Sequence, residues 1–144
     1  MFIYSVKFVC GAQNPVATQP CSPVRPGTYA TEINIHNFHP DQKADIRKRV
    51  LLLVQNDSPV GREPRIAKAT EFDTITLPPD SATMDDCCNL AEKLHLNLAH
   101  LTIGFFEIVS TLELNVTAVY TASDLKGASI SVDVETINGR EIKG

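Results

Sequence analysis

The clearest constraint on this chain lies between Thr111 and Thr121. Leu112, Leu114, Val116, Ala118 and Tyr120 fall on one face there, and Thr111, Glu113, Asn115, Thr117 and Thr121 fall on the other. Successive side chains of a strand point to opposite faces, so this period of two predicts a half-buried β-strand. A second apolar run, Phe105 to Val109, precedes it, and Ser110-Thr111 sits between the two where a tight turn would join them. The expected unit is a β-hairpin at the centre of an all-β domain.

The same alternation recurs along the chain. At the start, Phe2, Tyr4, Val6, Phe8 and Cys10 oppose Ile3, Ser5, Lys7 and Val9, and further on Tyr29, Thr31, Ile33 and Ile35 oppose Glu32, Asn34 and His36. Asp45 to Gln55 reads as a long strand, buried on both faces at Val50 to Val54. Arg65 to Leu77 is less regular and fits one strand or two shorter ones. Ser129 to Thr136 closes the series, with Ile130, Val132 and Val134 alternating against Ser131, Asp133 and Glu135. Asn138-Gly139 is a turn signal with little chain left to pair.

Between the first two strands, Gly11 to Gly27 carries four of the nine prolines and reads as a long loop, a kind often functional or pinned by a cross-link. The one plausible helix follows Pro78-Pro79-Asp80-Ser81. Met84, Cys87, Cys88, Ala91 and Leu94 share one helical face, and Thr83 to Asp86 resembles a capping box. Short strands, turn residues between them and no βαβ rhythm predict an antiparallel β-sandwich of seven or eight strands with one short helix, a single domain over residues 1–144.

Composition excludes some functions. A formal net charge of −4 works against a general nucleic-acid or anionic-membrane binder, because both rest on a positive field. No stretch approaches the roughly 20 apolar residues of a membrane span, so no membrane insertion is expected. The start, MFIYSVKFVCG, lacks the charged n-region and longer apolar h-region of a signal peptide and already alternates like a strand. A cytoplasmic location is expected, with export as the alternative if a leader has been removed.

The segments YSVKFVCG, PVRPGTYATEINIHN, LPPDSATMDDC, GFFEIVSTLELNVTAVYTAS and SVDVE, in this order, resemble an uncharacterised family of conserved hypothetical bacterial β-sandwich proteins. The likeness covers most of the chain. More distantly, the proline-bounded strand, the short Asp-containing turn and the Ser-turn hairpin are similar to the small sandwich of sensory-rhodopsin transducer proteins, which act as oligomeric binding partners. The more distant resemblance implies fold more than function. By analogy it also implies an edge strand over Ser81 to Asp86 with helix only after Cys87, whereas periodicity favours the longer helix.

Candidate chemistry is sparse. Cys10, Cys21, His36, His39 and Cys87 supply zinc-type ligands if the fold gathers them, but Cys-x10-Cys, an adjacent Cys-Cys and His-x2-His are not the usual structural spacings. Small core cysteines account for Cys87 and Cys88 without metal. A Cys10–Cys21 disulfide would close the proline-rich loop, unless a reducing compartment forbids it. A thiol role for Cys87 near a helix start is opposed by Asp85 and Asp86. His36 and Glu32, with Glu107 elsewhere, have no nucleophile beside them, and no triad motif, phosphate loop or carboxylate pair occurs. In Arg47-Lys48-Arg49, alternation sends Lys48 to the opposite face, and a salt bridge or anion contact is expected. Asn115-Val116-Thr117 matches a glycosylation sequon but lies mid-strand.

The expected function is therefore non-enzymatic, with no required cofactor: a β-sandwich that acts through protein–protein contact or self-association, as a homo-oligomer. Its Thr-, Asn- and Glu-bearing strand faces and its sheet edges carry that expectation. The alternative is a small-ligand or zinc-binding module using the Gly11–Gly27 loop with nearby His and Cys.

Overall fold

The computed structural model describes residues 1–15 and 21–143. Among them are nine strands and one helix: β1 (Phe2–Gln13), β2 (Gly27–Asn37), β3 (Ala44–Val54), β4 (Thr70–Leu77), β5 (Ser81–Asp86), α1 (Cys87–Leu94), β6 (Thr102–Ser110), β7 (Asn115–Ser123), β8 (Ile130–Ile137) and β9 (Arg140–Glu141). Every pairing is antiparallel. One sheet runs β4-β3-β6-β1, with β9 against Phe2 and Ile3 of β1; the other runs β5-β2-β7-β8. This is the all-β antiparallel sandwich with one short helix that the alternation predicts, with two-residue β9 as a ninth strand.

The two sheets face each other because each alternating strand turns its apolar side inward. Tyr4, Val6 and Phe8 of β1, Ile46 and Val50 of β3, and Phe106 and Ile108 of β6 meet Ile33 and Ile35 of β2 and Val116 and Ala118 of β7 in one buried cluster. On the β3 segment read as buried on both faces, Val50 and Val54 are buried and Leu51 to Leu53 only half so. Leu52 packs against the core and Leu53 lines a surface cleft. Arg65 to Leu77 yields one strand, β4.

Strand β1 belongs to both sheets. Phe2 to Cys10 pair with β6, and Gly11 to Gln13 pair with Tyr29 to Gly27 of β2. The change of sheet falls at Gly11, whose φ is +99° and where a Cβ would lie 1.9 Å from the His100 carbonyl oxygen. Only glycine meets both demands. The loop expected from Gly11 therefore begins after Gln13, and its residues 16–20 lie outside the described residues.

Two further expectations are corrected. Strands β6 and β7 do not form a hairpin: β6 pairs with β1 and β3, while β7 pairs with β2 and β8. The segment Thr111 to Leu114 is an arch that carries the chain from one sheet to the other. Alternation reports which face of a strand is covered, not which strand lies beside it. The Tyr4 hydroxyl pins this arch, accepting from the Leu114 N–H at 2.6 Å and donating to the Leu114 carbonyl at 3.0 Å. The longer helix is also replaced: Ser81 to Asp86 form edge strand β5, as the resemblance implies, and helix starts at Cys87. Asp86 is its cap, accepting from the Asn89 N–H at 3.0 Å. Met84 and Cys88 are exposed rather than on a buried helical face. What decides it is Asp85, which strand geometry turns into the core.

Candidate functional site

Strand β8 is the least covered of the longer strands of the sandwich. Among the described residues it pairs with β7 alone, so its other edge carries backbone groups without a strand partner there. Seven of its eight residues are exposed, and only Ile137 at its end reaches the core. Ile130, Val132 and Val134 are 71%, 62% and 63% exposed. Cross-strand partners share a face, and Val134, Val132 and Ile130 stand beside Val119, Thr121 and Ser123 of β7. The aliphatic ladder thus continues the outer face of its sheet, where Thr28, Glu32, Asn34 and His36 of β2 also lie. It is apolar at the edge and polar but sparsely charged behind.

The opposite face of β8 carries Ser131, Asp133 and Glu135, beside Ala122, Tyr120 and Ala118. Burial, reinforced by the charges of Glu135 and Asp133, pushes the Tyr120 phenol up to about 12. Acids on the inner face of an edge strand oppose indiscriminate edge pairing. Any strand that joins β8 must keep like charges apart.

The residues read as metal ligands are not brought together. Cys10 is bonded to Cys87, with Cα atoms 5.6 Å apart, and Cys21 is a free, exposed thiol, so the expected Cys10–Cys21 bridge is replaced by Cys10–Cys87. The reason is alternation itself: Cys10 points into the core, where the start of α1 delivers Cys87, while Cys21 sits at the surface. His36 lies against Asp80 at 3.3 Å, and His39 bonds the Glu113 carbonyl at 2.8 Å and stacks on Phe38. In the β2–β5 register His36 faces Ala82 and Glu32 faces Asp86, which sets His36 about 13 Å along the strand from the Cys87 end. No group of three metal-type ligands is found among the described residues. Glu32 and Glu107 likewise lie on different sheets, Glu107 paired with Arg49.

Two features escaped the sequence reading. Pro23 and Val24 border a cleft of about 350 Å³ over β1, β3 and β6, with Val9, Val24, Leu53, Val54 and Ile103 as its apolar lining and Lys7 and Arg62 as its cations. The other is inside. Lys48 turns away from Arg47 and Arg49, as alternation requires, and meets Asp85 in the core, Nζ to Oδ2 at 2.7 Å, with side chains only 4% and 6% exposed. Arg47 and Arg49 pair outside with Glu71 and Glu107. The basic triplet signalled ion pairing, but nothing local in sequence ties Lys48 to an acid so far along the chain.

No helix among the described residues is long and apolar enough to cross a membrane. Compared with family models, with curated proteins and with solved structures, the chain gave no significant match.

Proposed function

We propose that the protein is a non-enzymatic β-sandwich that works by self-association, with β8 as the contact strand. The observation that supports this is the ladder Ile130, Val132 and Val134, exposed on a strand that has one open edge among the described residues. Open, apolar edge strands are avoided in isolated domains because they template pairing. A second copy is the favoured occupant, since a two-fold axis lets one strand complete another.

Charge selects the register. An axis through Val132 sets Ile130 of each copy against Val134 of the other, and Asp133 against Ser131, with no acid directly opposite an acid. Axes through Asp133 or Val134 would oppose Asp133 to itself or to Glu135, which is unfavourable. Joined this way, the two β5-β2-β7-β8 sheets become one.

The test is native mass spectrometry on the wild type and on Val132→Lys/Val134→Lys. Both valines are exposed, so the double variant is expected to keep its fold by circular dichroism while the dimer mass gives way to 15.8 kDa. A monomeric wild type at micromolar concentration would sink this reading.

A second reading draws on the cleft beside Pro23 and Val24: a small-ligand module for an apolar molecule bearing an anionic group, held by Lys7 and Arg62. The Cys10–Cys87 bridge favours an oxidising compartment, and with it the exported alternative over the cytoplasm.

A further inference from the structure

The geometry points to a covalent cross-link between the sheets: an amide formed by condensation of the Lys48 ammonium with the Asp85 carboxylate. It is independent of the self-association above. Lys48 projects inward from β3 of one sheet, and Asp85 projects inward from β5 of the other, so the pair spans the sandwich. Across the ladder Lys48 stands beside Ile108 and Asp73, and Asp85 beside Ile33. Asp73 is occupied by Lys93 at 2.8 Å. Arg47 and Arg49 face outward. The pair is almost completely buried, and Asp73, which feels the Lys48 charge across the ladder, has Lys93 as its own partner.

The contact is close but poorly aligned for a hydrogen bond. Nζ lies 2.7 Å from Oδ2, yet Oδ2 has no partner that meets hydrogen-bonding angles, while Oδ1 takes the Asn89 side-chain N–H at 3.4 Å. Two groups held side by side in a buried ion pair, Nζ 2.7 Å from Oδ2, need little further loss of translational freedom to react. Burial supplies the driving force. An ion pair removed from water forfeits its hydration, and its mutual attraction recovers that only in part. Condensation abolishes both charges and expels a water molecule from a site that water cannot readily re-enter.

The step balances without any co-reactant. The Nζ–Cγ bond forms and the Cγ–Oδ2 bond breaks. Two of the three ammonium protons leave with Oδ2 as water, and the third stays as the amide N–H. During addition the negative charge gathers on Oδ1, toward which the Asn89 side-chain N–H already points, so Asn89 is a positioning residue for the reaction.

Intact-mass measurement of the wild-type chain, denatured and reduced, tests this directly and does not depend on any variant folding. The expected mass is one water below that of the reduced sequence, with a proteolytic fragment joining the Lys48 and Asp85 segments. A mixture whose lighter fraction grows on incubation would support the same conclusion, and Asn89→Ala should slow that growth. In Asp85→Asn the lost molecule becomes ammonia instead of water; in Lys48→Arg the mass should equal that of the sequence. A wild-type chain at its full sequence mass, with Lys48 and Asp85 both recovered in unlinked fragments, would overturn the proposal.

Discussion

At the scale of single residues, the tyrosines show how burial is turned into chemistry. Tyr4 spends its hydroxyl on both backbone groups of Leu114, and burial is the main cause that raises its phenol above the ordinary range. Tyr120 is raised further, from 10.0 to about 12, by burial first and then by Glu135 and Asp133. The consequence for stability has a definite sign. Below pH 10 both folded and unfolded chains hold the proton, and the contribution is complete. Between about 10 and 12 the unfolded chain releases it while the fold retains it, so protons are lost on unfolding and stability falls as pH rises. Urea unfolding across this range should show a declining midpoint in the wild type and a shallower decline in Tyr120→Phe. Parallel declines in the two proteins would mean that Tyr120 is not the group responsible.

At the scale of elements, the region from Ser81 to Leu94 shows what sequence can and cannot say. The period-3.6 spacing of Met84, Cys87, Cys88, Ala91 and Leu94 is genuine, yet only the part from Cys87 is helical. Strand pairing of Ser81 to Asp86 with β2 outweighs it, because that pairing takes Asp85 to Lys48, a partner invisible to any local window. The strands themselves were legible: Tyr4, Val6, Phe8 and Cys10 are buried as their alternation requires. Their neighbours are not, which is why β6 and β7 read as a hairpin and why Cys21 reads as a candidate partner for Cys10. The β8 ladder was legible as a strand but not as a surface, since alternation cannot tell a covered apolar face from an open one. The helix start gives a sharp check. Asp86 satisfies the Asn89 N–H as cap, whereas Thr83 would have been the cap of the longer helix. Asp86→Ala should therefore cost about 1 kcal/mol in urea unfolding and Thr83→Ala much less. The reverse order would restore the longer helix.

At the scale of the whole molecule, the Cys10–Cys87 bridge joins the point where β1 changes sheet to the point where β5 gives way to α1, across 77 residues of chain. Its main effect is on the unfolded state: a loop this long, once closed, loses entropy equivalent to about 4.5 kcal/mol, and measured bridges commonly give about 2–4 kcal/mol. A chain of 144 residues with a continuous buried cluster between its sheets has core enough to fold without it. Cys10→Ala/Cys87→Ala should accordingly remain folded but unfold at a lower urea concentration, losing about 2–4 kcal/mol. The urea dependence of its unfolding should also steepen, because an unfolded chain freed of the loop exposes more surface. Cys21→Ala and Cys88→Ala, at exposed thiols, should shift stability by less than about 0.5 kcal/mol. The slope distinguishes the mechanisms. A lower midpoint with a steeper slope locates the effect in the unfolded chain, whereas a lower midpoint with an unchanged slope would mean that the bridge acts by holding β1 and α1 together in the folded sandwich.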